Sequence, residues 1–404
     1  MYFTIKTGSV QVYKKIISLF LCFLLLSGCS IPEINNQENS KNSVQSEYVK
    51  SVWITYYELS SLLIDKSEKE FKRSISKMFK ELSSNGFNRV TVHIRPYADA
   101  FYNSSYFPIS AYCCGVQGGS IDYDPMELMI ETAHKYDLSF EAWINPYRVS
   151  SENDFSALSE SNMAVKWQNT DNVISIDSGI YFNPGSDEVT ELIVNGVKEI
   201  AENYNVDSIC FDDYFYPSKD AEIDKNLYNA YKNNGGDKSL QDWRRDNVSN
   251  MVSRVYSTIK SVNGNITFGI SPASNMENDY SSLYADVEKW CSQEGFVDYI
   301  CPQIYFGFQN ENQPFMKTVK AWCSAAICDL YVALPLYKAG KEDEFAGSSG
   351  INEFKENNNI LARQVTYLSK LDKVKGYYIF SYSSLKDNDE TKNLYSAMQI
   401  SSSE

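Results

Sequence analysis

The 404-residue chain carries 37 basic and 52 acidic residues, a formal net charge of −15, with 43% hydrophobic and 22% charged side chains. That length and composition suit one large globular domain with a substantial core, and so acidic a surface repels nucleic acid and excludes it as a partner. With only two histidines, His93 and His134, and no cysteines at zinc spacing, a His-rich metal site and a Ser-His-Asp centre are poorly supported, and no metal or cofactor is expected.

The first residues read as a processing signal. Lys6, Lys14 and Lys15 precede the apolar run 16–26. That run is shorter than the ~20 residues of a spanning helix but suits the apolar stretch of a secretory signal. Leu26-Ser27-Gly28-Cys29 resembles a bacterial lipobox. Residues 1–28 are therefore expected to be removed, and Cys29 to carry lipid that anchors the protein to the membrane outside the cytoplasm. Residues 29–48, rich in Asn, Ser and Gln, read as a flexible tether. Seven cysteines follow Cys29, an odd number without the spacing of a disulfide framework. Cys210 and Cys301 sit in apolar runs as small core residues, and Cys113-Cys114 is either a strained vicinal pair or two free thiols.

Over residues 49–400, short β-branched or aromatic runs alternate with helical periodicity. Strands are predicted at 51–56, 89–95, 139–145, 207–213, 266–271, 298–305, 330–336 and 376–382. Helices are predicted at 67–84, 125–136, 187–204, 239–262, 282–293, 312–326, 354–372 and 388–399. Eight strands and eight helices in strict alternation predict an α/β fold, a TIM-type (β/α)8 barrel. Helix-to-strand links are short, whereas the strand-to-helix links 96–124, 146–186 and 214–238 are long. That asymmetry places the elaboration at the carboxyl face, where barrel active sites are built. A doubly wound open sheet is less well supported, because no glycine-rich phosphate loop follows the first strand.

Strand alternation assigns the inward side chains. With Val90, Val92 and Ile94 toward the helices, Thr91, His93 and Arg95 are expected to face the axis. The same parity turns Glu141, Trp143 and Asn145 inward, then Ser208, Cys210 and Asp212, then Tyr299, Cys301, Gln303 and Tyr305. Polar groups converging on an apolar scaffold cost stability unless they have a use or a partner.

Asp212 ends the fourth strand within FDDYFYP, 211–217. Adjacent carboxylates followed by aromatic rings at a barrel mouth suit glycoside hydrolysis, in which one carboxylate attacks or stabilises an oxocarbenium-like centre. A second carboxyl with a raised pKa must protonate the leaving oxygen. The candidates are Asp213, expected to turn away from the axis; Glu141, inward but deep; and Asp99, in the long loop after the second strand. An Asp-Asp pair also serves as a helix cap or an arginine partner, and Glu141 equally suits a buried ion pair with Arg95 or Arg148. Those two arginines either hold a substrate carboxylate bidentately or bridge to the same aspartates. Tyr97, Trp143, Tyr147, Tyr214, Tyr216 and Tyr305 are candidates for stacking on sugar rings, although each alone also suits packing. His93 reads as a hydrogen-bonded barrel residue rather than a base.

At this point the motifs become distinctive. SVWITYY (51–57), VTVHIRPYADAFYNSSYFP (90–108), the stretch from Tyr123 to Ser150 ending in FEAWINPYRVS, VDSICFDDYFYP (206–217), FGISP (268–272), VDYICPQIYF (297–306) and GYYIFSYSSL (376–385) run in order through the chain. In these segments it resembles the glycosyl hydrolase-like family ten of bacterial envelope proteins. The resemblance implies a TIM barrel and glycosidase activity. It also implies a polysaccharide substrate, since some lipoprotein members are described as hydrolysing peptidoglycan strands stripped of stem peptides. Arg95 and Arg148 would then suit the lactyl carboxylate of N-acetylmuramic acid. The chain departs from the family where members commonly carry His and this sequence has Glu141, which leaves the second catalytic carboxyl open. The alternatives are a non-catalytic polysaccharide-binding lipoprotein and a hydrolase of another exopolysaccharide. The domain is expected to act as a monomer.

Overall fold

The computed structural model describes residues 48–400, without the side chain of Ile400. The expected signal peptide, the lipidation site Cys29 and the tether up to residue 47 lie outside the described residues.

Eight strands form a closed barrel: Val49–Ile54, Arg89–Arg95, Ser139–Ile144, Ser208–Phe211, Thr267–Ile270, Tyr299–Ile300, Asp329–Leu334 and Val374–Ile379. Each pairs in parallel with the next in sequence, and the eighth closes on the first. This is the (β/α)8 topology that the alternation predicts. Only two residues of the predicted sixth strand, 298–305, are regular; Pro302 has no N–H to donate, and beyond it the pairing continues as single bridges at Gln303.

The helical shell follows from local sequence. Helix Glu68–Ser84 opens with a capping box, in which Ser67 Oγ accepts from Glu70 N and the Glu70 carboxylate accepts from Ser67 N. Its buried Phe71, Ile75, Met78, Phe79 and Leu82 make one apolar stripe. The outward strand residues Val90, Val92, Ile94, Phe140, Ala142, Ile144, Ile209 and Phe211 join these stripes in a single core.

Several elements depart from expectation. A helix, Tyr56–Leu63, follows the first strand directly, capped by Thr55 and Glu58. The predicted helix 282–293 is two short ones, Met276–Ser282 and Val287–Ser292, and 354–372 is likewise divided into Glu353–Glu356 and Ile360–Leu368. The long loop after the third strand folds into its own antiparallel sheet of Arg148–Ser150, Val173–Ile176 and Gly179–Phe182. All seven cysteines in the described residues are free, including Cys113 and Cys114.

Inside the barrel the register stacks inward side chains in levels. Thr91, Glu141 and Ser208 share one level, and His93, Trp143 and Cys210 the next. Glu141 is fully buried and accepts from Tyr299 OH at 2.5 Å, Thr91 Oγ1 at 2.8 Å, Tyr378 OH at 3.0 Å and Arg89 Nη1 at 3.2 Å. Tyr299 reaches it across the axis because the fifth strand has Gly269 there, where a Cβ would lie 2.1 Å from the Tyr299 ring. The buried charge is thus matched by a cation and three hydroxyl donors, the condition for keeping an ion inside a barrel.

Candidate active site

The strands end at a cavity of about 280 Å3, near the lower limit of small-molecule sites, about 300–1,000 Å3. Asp212, one residue past the fourth strand, lies on its wall, as does Asp213. Asp213 does not turn away as alternation predicts, because the extended strand stops at Phe211 and parity stops with it. These two are the only carboxyl groups lining the cavity among the described residues.

Asp212 is 3% exposed, and its Oδ2 accepts from Trp143 Nε1 at 2.9 Å and Asn145 Nδ2 at 3.3 Å. Asn145 in turn accepts from the backbone N–H groups of Tyr147 and Arg148, which fixes its amide. Burial, reinforced by repulsion from Asp213, raises the Asp212 carboxyl to about 7 against the stabilising pull of Trp143 and Arg148. Burial raises Asp213 as well, offset in part by Gln303. Both carboxyls are thus shifted toward their protonated forms.

Rings surround the pair. Trp143 stacks on His93, with centroids 3.5 Å apart and planes 9° from parallel, and meets Trp53 edge-on at 4.6 Å. Tyr305 and Phe380 line the same wall, and Tyr214, 46% exposed, stands at the mouth. Burial, with the charge of Arg148 adding, drives His93 well below its ordinary pKa. Its imidazole is neutral, and neither ring nitrogen has a hydrogen-bond partner, contrary to the expected hydrogen-bonded barrel role.

Arg148 also lines the cavity, held between the Tyr97 and Tyr214 rings at 4.7 and 4.5 Å, and donates to Tyr97 OH at 3.1 Å. Among the described residues no carboxylate lies within ion-pair distance of its guanidinium. Tyr97 thus positions Arg148 from beneath, its own hydroxyl bonded to that of Tyr56 at 3.2 Å.

Seven sequence candidates do not line the cavity: Asn145 and Tyr97 act through Asp212 and Arg148, Tyr147 is fully buried in the core, and four more lie elsewhere. Arg95 faces outward, because the register slips between His93 and Arg95 and pairs the arginine with the outward Ile144. Its guanidinium lies 4.4 Å above Phe107, beside Gly196, where a Cβ would come within 2.7 Å of Nη1. Glu141 is sealed below the cavity in the network described above, and its cationic partner is Arg89 rather than Arg95 or Arg148. Asp99 does not swing over the cleft; it is 2% exposed, held by Gln117 at 3.2 Å, and raised by burial to about 6. Tyr216 is buried against Tyr284 and Arg244.

Trp53, Thr55, Tyr56, Tyr57 and Phe380 line the cavity without having been expected there. Parity in SVWITYY marks Trp53 as inward, since Val52 and Ile54 are fully buried on the other face. Tyr56 and Tyr57 arrive on the unforeseen helix, for which the Thr55–Glu58 capping box was the available signal. A larger cavity of about 580 Å3, lined by Asn103, Trp167 and Asn195, contains only the exposed Glu188 and Glu191 as acids. Among the described residues no group of three or more potential ligand side chains could hold a metal ion.

Solved structures share this barrel architecture. The chain resembles the catalytic domain of β-amylase from Paenibacillus polymyxa, with TM-score 0.57 and 11% identity over 88% of this chain and 99% of that one. It is similarly close to the PgaB (BpsB) glycoside hydrolase domain from Bordetella bronchiseptica, with TM-score 0.56 and 9% identity over 85% and 98%. At such identity the likeness shows the fold alone. Sequence relatives are nearer: the glycosyl hydrolase YngK of Bacillus subtilis is 34% identical over 94% of this chain and 76% of its own length. The glycosyl hydrolase DigH of Escherichia coli K12 is 32% identical over 67% of this chain and 68% of its own. With the model of that family matching residues 48–347, the chain belongs to the glycosyl hydrolase-like 10 family.

Proposed function

We infer that the protein is an O-glycosyl hydrolase of cell-envelope polysaccharide, acting on peptidoglycan strands that lack stem peptides. The observation that carries this reading is the company Arg148 keeps. A guanidinium without a carboxylate partner stands beside a buried acid pair in a ring-lined cavity. Such a cation suits the lactyl carboxylate of N-acetylmuramic acid, and the rings suit pyranose faces. With Arg95 turned away, Arg148 does this alone.

Asp212 and Asp213 supply the acid chemistry, one stabilising the developing positive charge and the other protonating the leaving oxygen. The proposed setting is the outer face of a membrane, reached through lipid on Cys29. No described helix is long and apolar enough to cross a membrane. The test is mass spectrometry of products from purified denuded strands, wild type beside Asp212→Asn. New reducing ends from wild type alone are expected. Glycan binding that survives the substitution, with no product from either form, points instead to a non-catalytic polysaccharide-binding protein.

A further inference from the structure

We propose that the bond is broken with the substrate's own 2-acetamido group as nucleophile, Asp212 orienting that group and Asp213 acting as the acid. This rests on the glycosidase reading above. The placement of the acids supports it. A double displacement through an enzyme carboxylate needs one carboxyl opposite the leaving group and another beside the leaving oxygen, about 5–5.5 Å apart. Inversion needs them about 6.5–9.5 Å apart, with a water between. Among the described residues the only two acids lining the cavity belong to consecutive residues past one strand end, and no other strand contributes a carboxyl to it. Glu141 is sealed beneath and Asp99 is held away, so no third carboxyl takes the opposite face. Substrate-assisted cleavage needs no acid there.

The two aspartates differ in ways that assign their roles. Asp212 is pinned on Oδ2 by Trp143 and Asn145, whereas Asp213 is more exposed. An acetamide N–H donated to Asp212 favours its ionised form, while burial favours a proton on Asp213. Trp53, Trp143 and Phe380 form an aromatic wall beside Asp212 that suits the acetamide methyl.

In the first step the acetamide carbonyl oxygen bonds to C1 as the C1–O bond to the leaving sugar breaks, and Asp213 gives its proton to that oxygen. The charge of the resulting oxazolinium ring is balanced by Asp212. In the second step water adds to C1, its proton passes to Asp213, and the ring opens to restore the acetamide. Two displacements at C1 give net retention.

The experiment uses the mature protein with denuded strands, product anomers being read by NMR. Beside it run the thiazoline derived from N-acetylglucosamine, a stable mimic of the bicyclic intermediate, and strands that have been de-N-acetylated. The expected results are a retained anomer, thiazoline inhibition at least about a hundredfold tighter than that by N-acetylglucosamine, and cleavage of de-N-acetylated strands at least about a hundredfold slower. An inverted product overturns the proposal, as does a covalent sugar on either aspartate trapped with a 2-fluoro glycoside, or undiminished cleavage without acetyl groups. Those outcomes leave the glycosidase reading standing; absence of any cleavage of acetylated strands sinks both.

Discussion

The indole of Trp143, one inward level above the sealed Glu141 on the third strand, donates its N–H to Asp212 Oδ2 at 2.9 Å, just past the fourth. A donor to a carboxylate favours the charged form, and Trp143 holds down a pKa that burial raises. Trp143→Phe keeps most of the ring and removes the donor. A hydrogen bond to a charged group is worth about 1.5–3 kcal/mol, so kcat/KM should fall roughly 10- to 100-fold. The acidic limb of the pH profile, set by ionisation of Asp212, should also move to higher pH. A fall in rate with no movement of that limb assigns Trp143 to sugar stacking instead.

The acid pair sets the pH range of activity. Asp212, raised to about 7, must be ionised to hold the acetamide and so limits the acidic side of that range. kcat/KM on denuded strands should therefore decline below pH ~7, the sign expected when an essential carboxylate becomes protonated. In Asp213→Asn the repulsion is gone, and the carboxyl of Asp212 should titrate lower, readable by NMR of the labelled side chain.

Asp279 offers a separate test by stability. It is fully buried, and burial together with Asp213 raises it to about 8 from an ordinary 3.8, against a pull from the Ala273 backbone. A raised carboxyl contributes stability that is full below the unfolded pKa and is lost as pH rises through the folded one. Wild type should thus lose melting temperature between pH ~5 and pH ~9. Asp279→Asn should gain on wild type across that window, and a difference that is flat with pH counts against a neutral native Asp279.

Glu141 should behave as a structural residue. Removing one member of a buried ion pair costs about 3–5 kcal/mol, so Glu141→Ala should shift the denaturant midpoint by that free energy and leave Arg89 uncompensated. If instead the variant melts like wild type but makes no product, the acid lies on the reaction path after all.

Arg148 should read the charge on the glycan. Arg148→Ala is expected to raise KM about 10- to 100-fold on strands containing N-acetylmuramic acid, the range of a charge-assisted hydrogen bond of about 1.5–3 kcal/mol. On uncharged chitooligosaccharides KM should change little. An equal loss on both substrates places Arg148 with the acid pair rather than with the lactyl group.

The order and type of the barrel elements are legible in the sequence because they rest on local periodicity. Apolar residues at alternate positions make strands, stripes at helical spacing make the shell, and strict alternation closes the barrel. Parity also placed Glu141, Trp143, Cys210 and Asp212 on the inner face, and it holds wherever the strand stays regular. What parity misses begins where regularity ends. A one-residue slip turned Arg95 to the outside, and the end of the strand at Phe211 let Asp213 face the same cavity as Asp212. Depth is equally invisible along the chain: Glu141 and Asp212 are both inward acids, yet one is closed in by Tyr299, Tyr378 and Arg89 and the other opens on a cavity. Partners so distant in sequence meet only when the sheet closes, and closure decides which carboxyl is sealed into the barrel and which opens on the cavity.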